Sequence, residues 1–303
     1  MEQRKGLLYG LAAYGLWGAF PLYFPLLKPA GAGEILSHRI LWTLITVGLL
    51  LSATRGWGWL RTTSRRQAGL LTFAAVTIAA NWGTYIYAVN SGHTIEAALG
   101  YFINPLVTVL MGVLLLRERL RRAQWIALGV GGAAVLVLAV DYGRPPWIAL
   151  ILAFSFGTYG LMKKSAAMGS AESMAFESAV LFVPALAMAL WTQFQGGAAF
   201  GHAGAGHLVL MILLGTVTAV PLMFFNEAAN RLPLSTIGLL QYVAPVLQFL
   251  VGLVVQHEAM PASRWTGFGL VWLALSLLTW DALRTAHRTR IAARARSSEP
   301  VPA

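Results

Sequence analysis

One stretch of the chain occurs twice. Ala97-Ala98-Leu99-Gly100-Tyr101-Phe102-Ile103-Asn104-Pro105 returns in outline as Ile237-Gly238-Leu239-Leu240-Gln241-Tyr242-Val243-Ala244-Pro245, with the two prolines 140 residues apart. The same ungapped offset links Asn90 with Asn230, Gly112 with Gly252, Glu118 with Glu258, Trp125 with Trp265 and Gly129 with Gly269. Composition does not explain identities that share one offset; an internal duplication of about half the chain does. Each copy lies in a long apolar run with its proline near the middle. A proline there removes one N–H and displaces the carbonyl four residues back, here those of Tyr101 and Gln241. In lipid, a freed carbonyl needs protein or water to meet it. Paired interrupted helices mark a transporter's central site. A kink absorbed by neighbouring helices is the plainer alternative, and Asn104 and Gln241 beside the breaks weigh toward a cavity lining.

Composition agrees with a membrane setting. The 303 residues are 57% hydrophobic and 11% charged, against about 25% charged in a soluble domain. Apolar runs of the required length of about 20 residues fall near 7–27, 34–53, 69–89, 95–116, 123–140, 146–162, 173–191, 207–226, 234–256 and 265–283. The expected fold class is an all-α polytopic membrane protein with ten transmembrane helices in two inverted five-helix repeats. An odd number of spans per repeat makes the second repeat enter from the opposite side, the architecture that permits alternating access. The expected units are a first repeat over 1–143, a second over 144–283 and a basic cytoplasmic tail over 284–303. The first apolar run exceeds the 7–15 residues or so of a signal-peptide core, so it reads as a retained span.

A net charge of +11 raises the question of nucleic acid, and the positions answer it. With the N-terminus inside, the cytoplasmic side receives most of the basic residues, from Arg4 and Lys5 through Arg65, Arg66, Arg117 to Arg122, Lys163 and Lys164 to the cluster Arg284–Arg296. The other side receives Lys28, Arg144 and Arg264. This positive-inside bias puts both termini in the cytoplasm; the expected location is a plasma membrane, the bacterial inner membrane, and no nucleic-acid partner is expected. Cysteine is absent, and no metal or cofactor site is expected. Gly129, Gly132 and Ala133 in span five are small enough for close helix approach, either as internal packing or as the face of a homodimer.

Polar residues inside the spans supply the candidate sites. Arg39, deep in span two, must face a partner or water, and Glu96 at the start of span four is its expected partner. Glu177, the repeat equivalent of Arg39, is expected near the cytoplasmic side. Thr77, Asn81, Thr84 and Tyr85 share one face of span three by helical spacing; interhelical hydrogen bonds and a wet cavity both account for that stripe. Glu96, Gly100, Asn104 and Thr108 form an i, i+4 ladder on span four, the strongest site candidate. Trp17 in span one serves either packing or a wall that stacks on a flat solute. The second copy of the ladder, Thr236, Leu240, Ala244 and Gln248, is uncharged. His38 is expected to be a structural hydrogen-bonder.

The segments Glu34-Ile35-Leu36-Ser37-His38-Arg39-Ile40-Leu41-Trp42, Asn81-Trp82 to Asn90, Glu96 to Leu106 and Leu240-Gln241-Tyr242-Val243-Ala244-Pro245 resemble the EamA-type branch of the drug/metabolite transporter superfamily, most closely its RarD group of permeases. The resemblance covers nearly the whole chain. It implies a central cavity bordered by spans one, three, four, six, eight and nine, and export or exchange of amino acids, metabolites, drugs or phosphorylated sugars. The second half lacks the paired lysine and arginine that would hold a dianionic phosphate.

The reading is therefore a secondary transporter of a small organic solute. Trp17, Tyr85, Tyr101 and Tyr242 would pack the solute and Asn81, Asn104 and Gln241 would hydrogen-bond it. Arg39, Glu96 and Glu177 would gate or couple protons. A non-transporting scaffold or partner subunit is the alternative. An intramembrane enzyme is disfavoured, because the chain has no H-E-x-x-H and its histidines are scattered. It also lacks the P-loop that ATP drive would need.

Overall fold

A computed structural model describes residues 2–54, 56–116, 120–229, 231–232 and 234–297. Arg55, Arg117, Glu118, Arg119 and Asn230, which the charge and repeat patterns include, lie outside the described residues. The elements run α1 (Glu2–Gly18), α2 (Phe20–Tyr23) with a 3-10 turn (Phe24–Leu27), α3 (Ala32–Ala53), α4 (Trp59–Thr62), α5 (Arg65–Asn90), α6 (Thr94–Leu116), α7 (Arg122–Tyr142) and α8 (Trp147–Ala166). Then follow α9 (Ser170–Val180), α10 (Phe182–Phe194), α11 (Ala205–Ala229), α12 (Leu234–Leu240), α13 (Val243–Leu250), a π-turn (Val251–Val255) and α14 (Ala262–Ser297). No strand occurs among the described residues.

Among the described residues, seven stretches are long and apolar enough to cross a membrane: Glu2–Leu27, Ala32–Ala53, Arg65–Asn90, Thr94–Met111, Arg122–Tyr142, Ala205–Phe225 and Ala262–Thr285. The α9–α10 pair would make one more span but is bent by 51°. Trp147–Lys163 and Val243–Val255 are apolar helices of shorter length. Proline position explains much of this variety. Pro184 sits in the first turn of α10 and Pro245 in the first turn of α13, where the missing N–H would have had no helical partner in any case. Pro105 and Pro221 instead lie inside α6 and α11, which continue through them. The expectation of two matched interruptions is thus corrected: the first copy is one helix, and the second breaks at Gln241 and Tyr242 between α12 and α13. The last helix, α14, runs past the expected span end at 283 and continues to Ser297.

The packing crosses the middle of the sequence. α8 packs on α5 and α6, while α1 packs on α11 and α13. α3 lies against α9, α10 and α11, and α14 runs along α7. One core joins α6, α7, α13 and α14 through Phe102, Leu138, Phe249 and Phe268. A second joins the α2 region, α5, α8 and α11 through Phe24, Ile86, Leu152 and Leu214.

The α6–α8 crossing depends on Gly100. A Cβ there would stand 2.8 Å from the Ala149 carbonyl oxygen and 2.8 Å from Leu152 Cβ. Gly100 therefore serves helix packing and does not open backbone to a solute, which corrects its place in the span-four ladder. Gly100→Ala should lower the unfolding midpoint, by the equivalent of about 1–3 kcal/mol for an overpacked core. Gly129→Ala, with nothing within 4 Å of its Cβ, should leave the midpoint unchanged. A fluorescence melt of the detergent-purified variants checks the difference.

Candidate functional site

Asn81 ties three helices together. It is 1% exposed, and its Nδ2 donates to the Leu152 carbonyl and to Ser155 Oγ, both at 3.0 Å. Its Oδ1 accepts from the Tyr101 hydroxyl at 3.0 Å. The amide of α5 thus joins α8 and α6, and its oxygen and nitrogen are both engaged. Thr77 donates to the Ala74 carbonyl of its own helix at 2.9 Å. Of the two readings of the span-three stripe, the interhelical one holds at Asn81.

Beside this knot lies Arg39. It is 4% exposed, and its Nε donates to Thr218 Oγ1 of α11 at 3.1 Å. The guanidinium carbon stands 4.1 Å from the Trp82 ring centroid, 5.4 Å from Phe20 and 5.8 Å from Phe24. These rings stabilise the charge by their quadrupoles but accept little from the N–H groups, and Nη1 has no partner. Tyr85 packs edge-on against Phe24 at 5.9 Å and Tyr101 at 5.7 Å; its buried hydroxyl is also unpartnered. The expected pairing of Arg39 with Glu96 is absent. Glu96, 1% exposed, takes Arg144 Nη2 at 2.8 Å and the Ile148 N–H at 3.2 Å. Arg144 offers Glu96 a guanidinium from the rim, so the deep arginine is not needed. Its hydrogen bond to Glu96 holds the Arg144 guanidinium above its ordinary pKa, which keeps it charged.

Asn104 lies about 12 Å along α6 from Glu96, at 1.5 Å per residue. It is half-buried, and its Oδ1 has no partner. The same oxygen lies 3.5 Å from where a Cβ on Gly157 would be. Tyr101 meets Phe156 of α8 edge-on at 5.9 Å, and Phe156 is 39% exposed. Trp17, half-buried, packs against Tyr14 at 5.3 Å and Phe225 at 5.9 Å, while its carbonyl accepts from Gln248 Nε2 at 3.1 Å. Gln241 occupies the break between α12 and α13. Tyr242 points elsewhere: it lines an apolar groove of about 580 Å³ with Phe102, Leu239, Trp272 and Trp280. The structure thus gathers Asn81, Tyr85, Tyr101 and Arg39 in one cluster and leaves Tyr242 out of it.

Charged ties close the two ends of the bundle. Where α6 begins, Glu258 accepts from the Thr94 and Ile95 N–H groups at 2.5 and 3.0 Å. Thr94 Oγ1 bonds Gln256, and Gln256 Nε2 donates to the Pro21 carbonyl at 3.1 Å. A pocket of about 370 Å³ lies there among His93, Glu96, Arg144, Glu258 and Arg264. Glu34 accepts from the Ala199 and Phe200 N–H groups at 2.9 and 2.8 Å. His38, expected to hydrogen-bond, instead stacks on Phe200 at 4.1 Å and leaves Nδ1 unpartnered. Glu177 belongs to the other end. It accepts from Lys163 at 2.9 Å and from the Tyr159 hydroxyl at 3.1 Å, about 22 Å along α8 from Ile148. Thr218, Gln256 and Glu258 escaped the sequence reading. Only the Glu118–Glu258 repeat pair hinted at one of them.

Comparison with known proteins identifies the lineage. Residues 4–140 match the EamA-like transporter family. Over 291 residues the chain is 61% identical to the protein RarD of Streptomyces exfoliatus, covering 95% of this chain and 92% of that one. The chain belongs to the EamA-like transporter family, in its RarD group. It is also 41% identical over 288 residues to the uncharacterized transporter YojE of Bacillus subtilis (strain 168), covering 93% of this chain and 96% of that one. The fold is shared with a crystallised protein chain at TM-score 0.59 and 20% identity, over 90% of this chain and 96% of that one. Membership in the EamA-like family makes this a multi-pass membrane transporter.

Within this EamA-like protein, the Asn81–Tyr101 bond should behave as a structural coupling. Asn81→Ala should cost about 1–3 kcal/mol, since it strands the Tyr101 hydroxyl and the Leu152 carbonyl. Tyr101→Phe should cost less. A double-mutant cycle on unfolding midpoints should return a coupling near 1 kcal/mol.

Proposed function

We propose that this RarD-group protein is a secondary transporter that moves a small organic solute across the bacterial inner membrane by alternating access, with both termini in the cytoplasm. The observation that carries the mechanism is the reciprocal exchange of helices. α8, the first helix of the second repeat, packs on α5 and α6 of the first. α1, the first helix of the first repeat, packs on α11 and α13 of the second. These are equivalent helices under the 140-residue offset, which supports two inverted repeats, 1–143 and 144–283. The seven long stretches, the bent α9–α10 pair and the two shorter helices would together supply ten passes. Two such units wrapped around each other can exchange conformations while keeping the site fixed.

In this reading the ties around Thr94, Glu96, Glu258 and Gln256 form a closed external gate. The half-buried surfaces of Trp17, Tyr101 and Asn104, with Phe156, border the solute path from the cytoplasmic side. Asn104 offers a carbonyl oxygen that no protein group meets, so a solute donor can take it. Glu96 acts with Arg144, and not with Arg39, as an external charge pair. Glu177 with Lys163 acts at the cytoplasmic end. The bent and broken spans provide hinges.

The test is transport by the pure protein in liposomes, with metabolites, amino acids and amphenicol drugs as solutes. Flux of at least one of them should exceed that of protein-free vesicles. Asn104→Ala should reduce that flux by about tenfold, the equivalent of one hydrogen bond of ~1.4 kcal/mol. A flux unchanged by Asn104→Ala would remove Asn104 from the path. Vesicles no leakier than controls for every solute would favour the scaffold reading.

A further inference from the structure

Each acidic side chain among the described residues is engaged somewhere other than Arg39. Glu96 holds Arg144, Glu177 holds Lys163, Asp141 holds Arg264 and Asp281 holds Arg121. Glu227 and Glu2 hold Arg231. Glu34, Glu172 and Glu258 cap backbone N–H groups. Arg39 is left as a buried cation with no carboxylate partner among the described residues. A membrane protein does not keep such a group for stability, because an uncompensated charge in a low-dielectric interior is expensive. It is kept where something outside the chain completes it.

The geometry around Arg39 defines what that is. Trp82, Phe20 and Phe24 cover the guanidinium with ring faces and edges. Thr218 fixes the side chain through Nε, and Nη1 is left without a partner. Nη1 and the Tyr85 hydroxyl are both buried donors without acceptors. Arg39 and Tyr85 both lie against the Phe24 ring. Two unmet donors, one of them cationic, match the two oxygens of a carboxylate. The single cation suits a monoanion better than a phosphate dianion. The aromatic walls suit a flat apolar body. Tyr101 stands between this cage and the half-exposed Phe156, touching Tyr85 on one side and Phe156 on the other.

We propose that the transported solute is an organic carboxylate with an aromatic or other flat apolar body, and that Arg39 with Tyr85 binds its carboxylate inside the Phe20, Phe24 and Trp82 cage. This rests on the transport reading above and names the substrate class of the same site. Arg39 becomes a substrate-binding residue and ceases to be a member of the external gate.

Matched probes test it. Benzoate is compared with benzamide, and indole-3-acetate with indole-3-acetamide, by the unfolding midpoint of the detergent-purified protein and by uptake into proteoliposomes. Each carboxylate should bind at least about tenfold more tightly than its amide, the factor expected for a hydrogen-bonded charge. Arg39→Gln should erase that preference and Arg39→Lys should keep part of it. Without ligand, Arg39→Met should raise the midpoint, because it removes an unpaired buried charge. The assignment is overturned if no carboxylate shifts the wild-type midpoint more than its amide. It is overturned equally if Arg39→Gln retains the preference or if Arg39→Met melts well below wild type, which would make Arg39 a structural group. Equal uptake of acid and amide would leave transport standing and remove the carboxylate. An Arg39-dependent midpoint shift without uptake of either would do the reverse.

Discussion

Inside a bilayer a polar group has no water to fall back on, so each donor and acceptor must find its partner within the protein or in a cavity. Much of this molecule follows from that requirement. Asn81 bonds α5 to α6 and α8 with its whole amide. Gln248 reaches the Trp17 carbonyl, and Thr218 meets Arg39. Glu177 carries a lysine and a tyrosine hydroxyl. These bonds join helices far apart in the sequence, so the same interactions that satisfy polar groups also fix which helices are neighbours. Eleven buried side-chain atoms among the described residues have no hydrogen-bond partner, and three of them, Arg39 Nη1, the Tyr85 hydroxyl and Asn104 Oδ1, are the ones the proposed solute would meet.

The distribution of charge gives the proposed transport cycle its shape. The carboxylates at the two ends of the bundle hold loops and helix starts together. Glu258 bonds the start of α6 from a segment more than half the chain away. Such ties can hold one state of a gate, and under alternating access the gate opens by breaking them. The middle, by contrast, is lined by rings and amides and carries one unpaired cation. In the proposed cycle the ends would hold states and the middle would select what is carried.

The fold was largely legible in the sequence because lipid leaves few options. The apolar runs predicted where the helices lie, and seven of the described helices are long and apolar enough to cross a membrane; the repeat at offset 140 is the basis of the proposed helix equivalence. The breaks were harder. Pro105 and Pro245 look alike in the sequence, but α6 passes through the first and α13 begins just before the second. Where a helix starts is decided by its neighbours, and the offset does not carry that. The site was legible as residue types and not as pairs. Arg39 stood out as too deep to be casual, yet its partner was assigned to Glu96 because both lie toward one side. Depth along the membrane is readable from helical rise, whereas rotation about the helix axis is not. That rotation gave Glu96 to Arg144 and turned Arg39 toward Thr218 and Trp82. Tyr242 misled for the same reason: its place beside Gln241 was clear, but its side chain turns to the α14 groove.

The chain contains no cysteine, so pairs of introduced cysteines can carry spin labels without background. The most direct measurement of two exchanging repeats is the pulsed spin-label distance across α1 and α8 in liposomes. One pair, Lys28 and Pro145, lies where α6 begins, and the other, Lys5 and Ala167, lies at the far end; all four positions are exposed. Weakening the gate with Glu258→Ala should lengthen the Lys28–Pro145 distance while shortening the Lys5–Ala167 distance, as one population exchanges for the other. Both distances staying single and unmoved, or both lengthening together, would contradict alternating access.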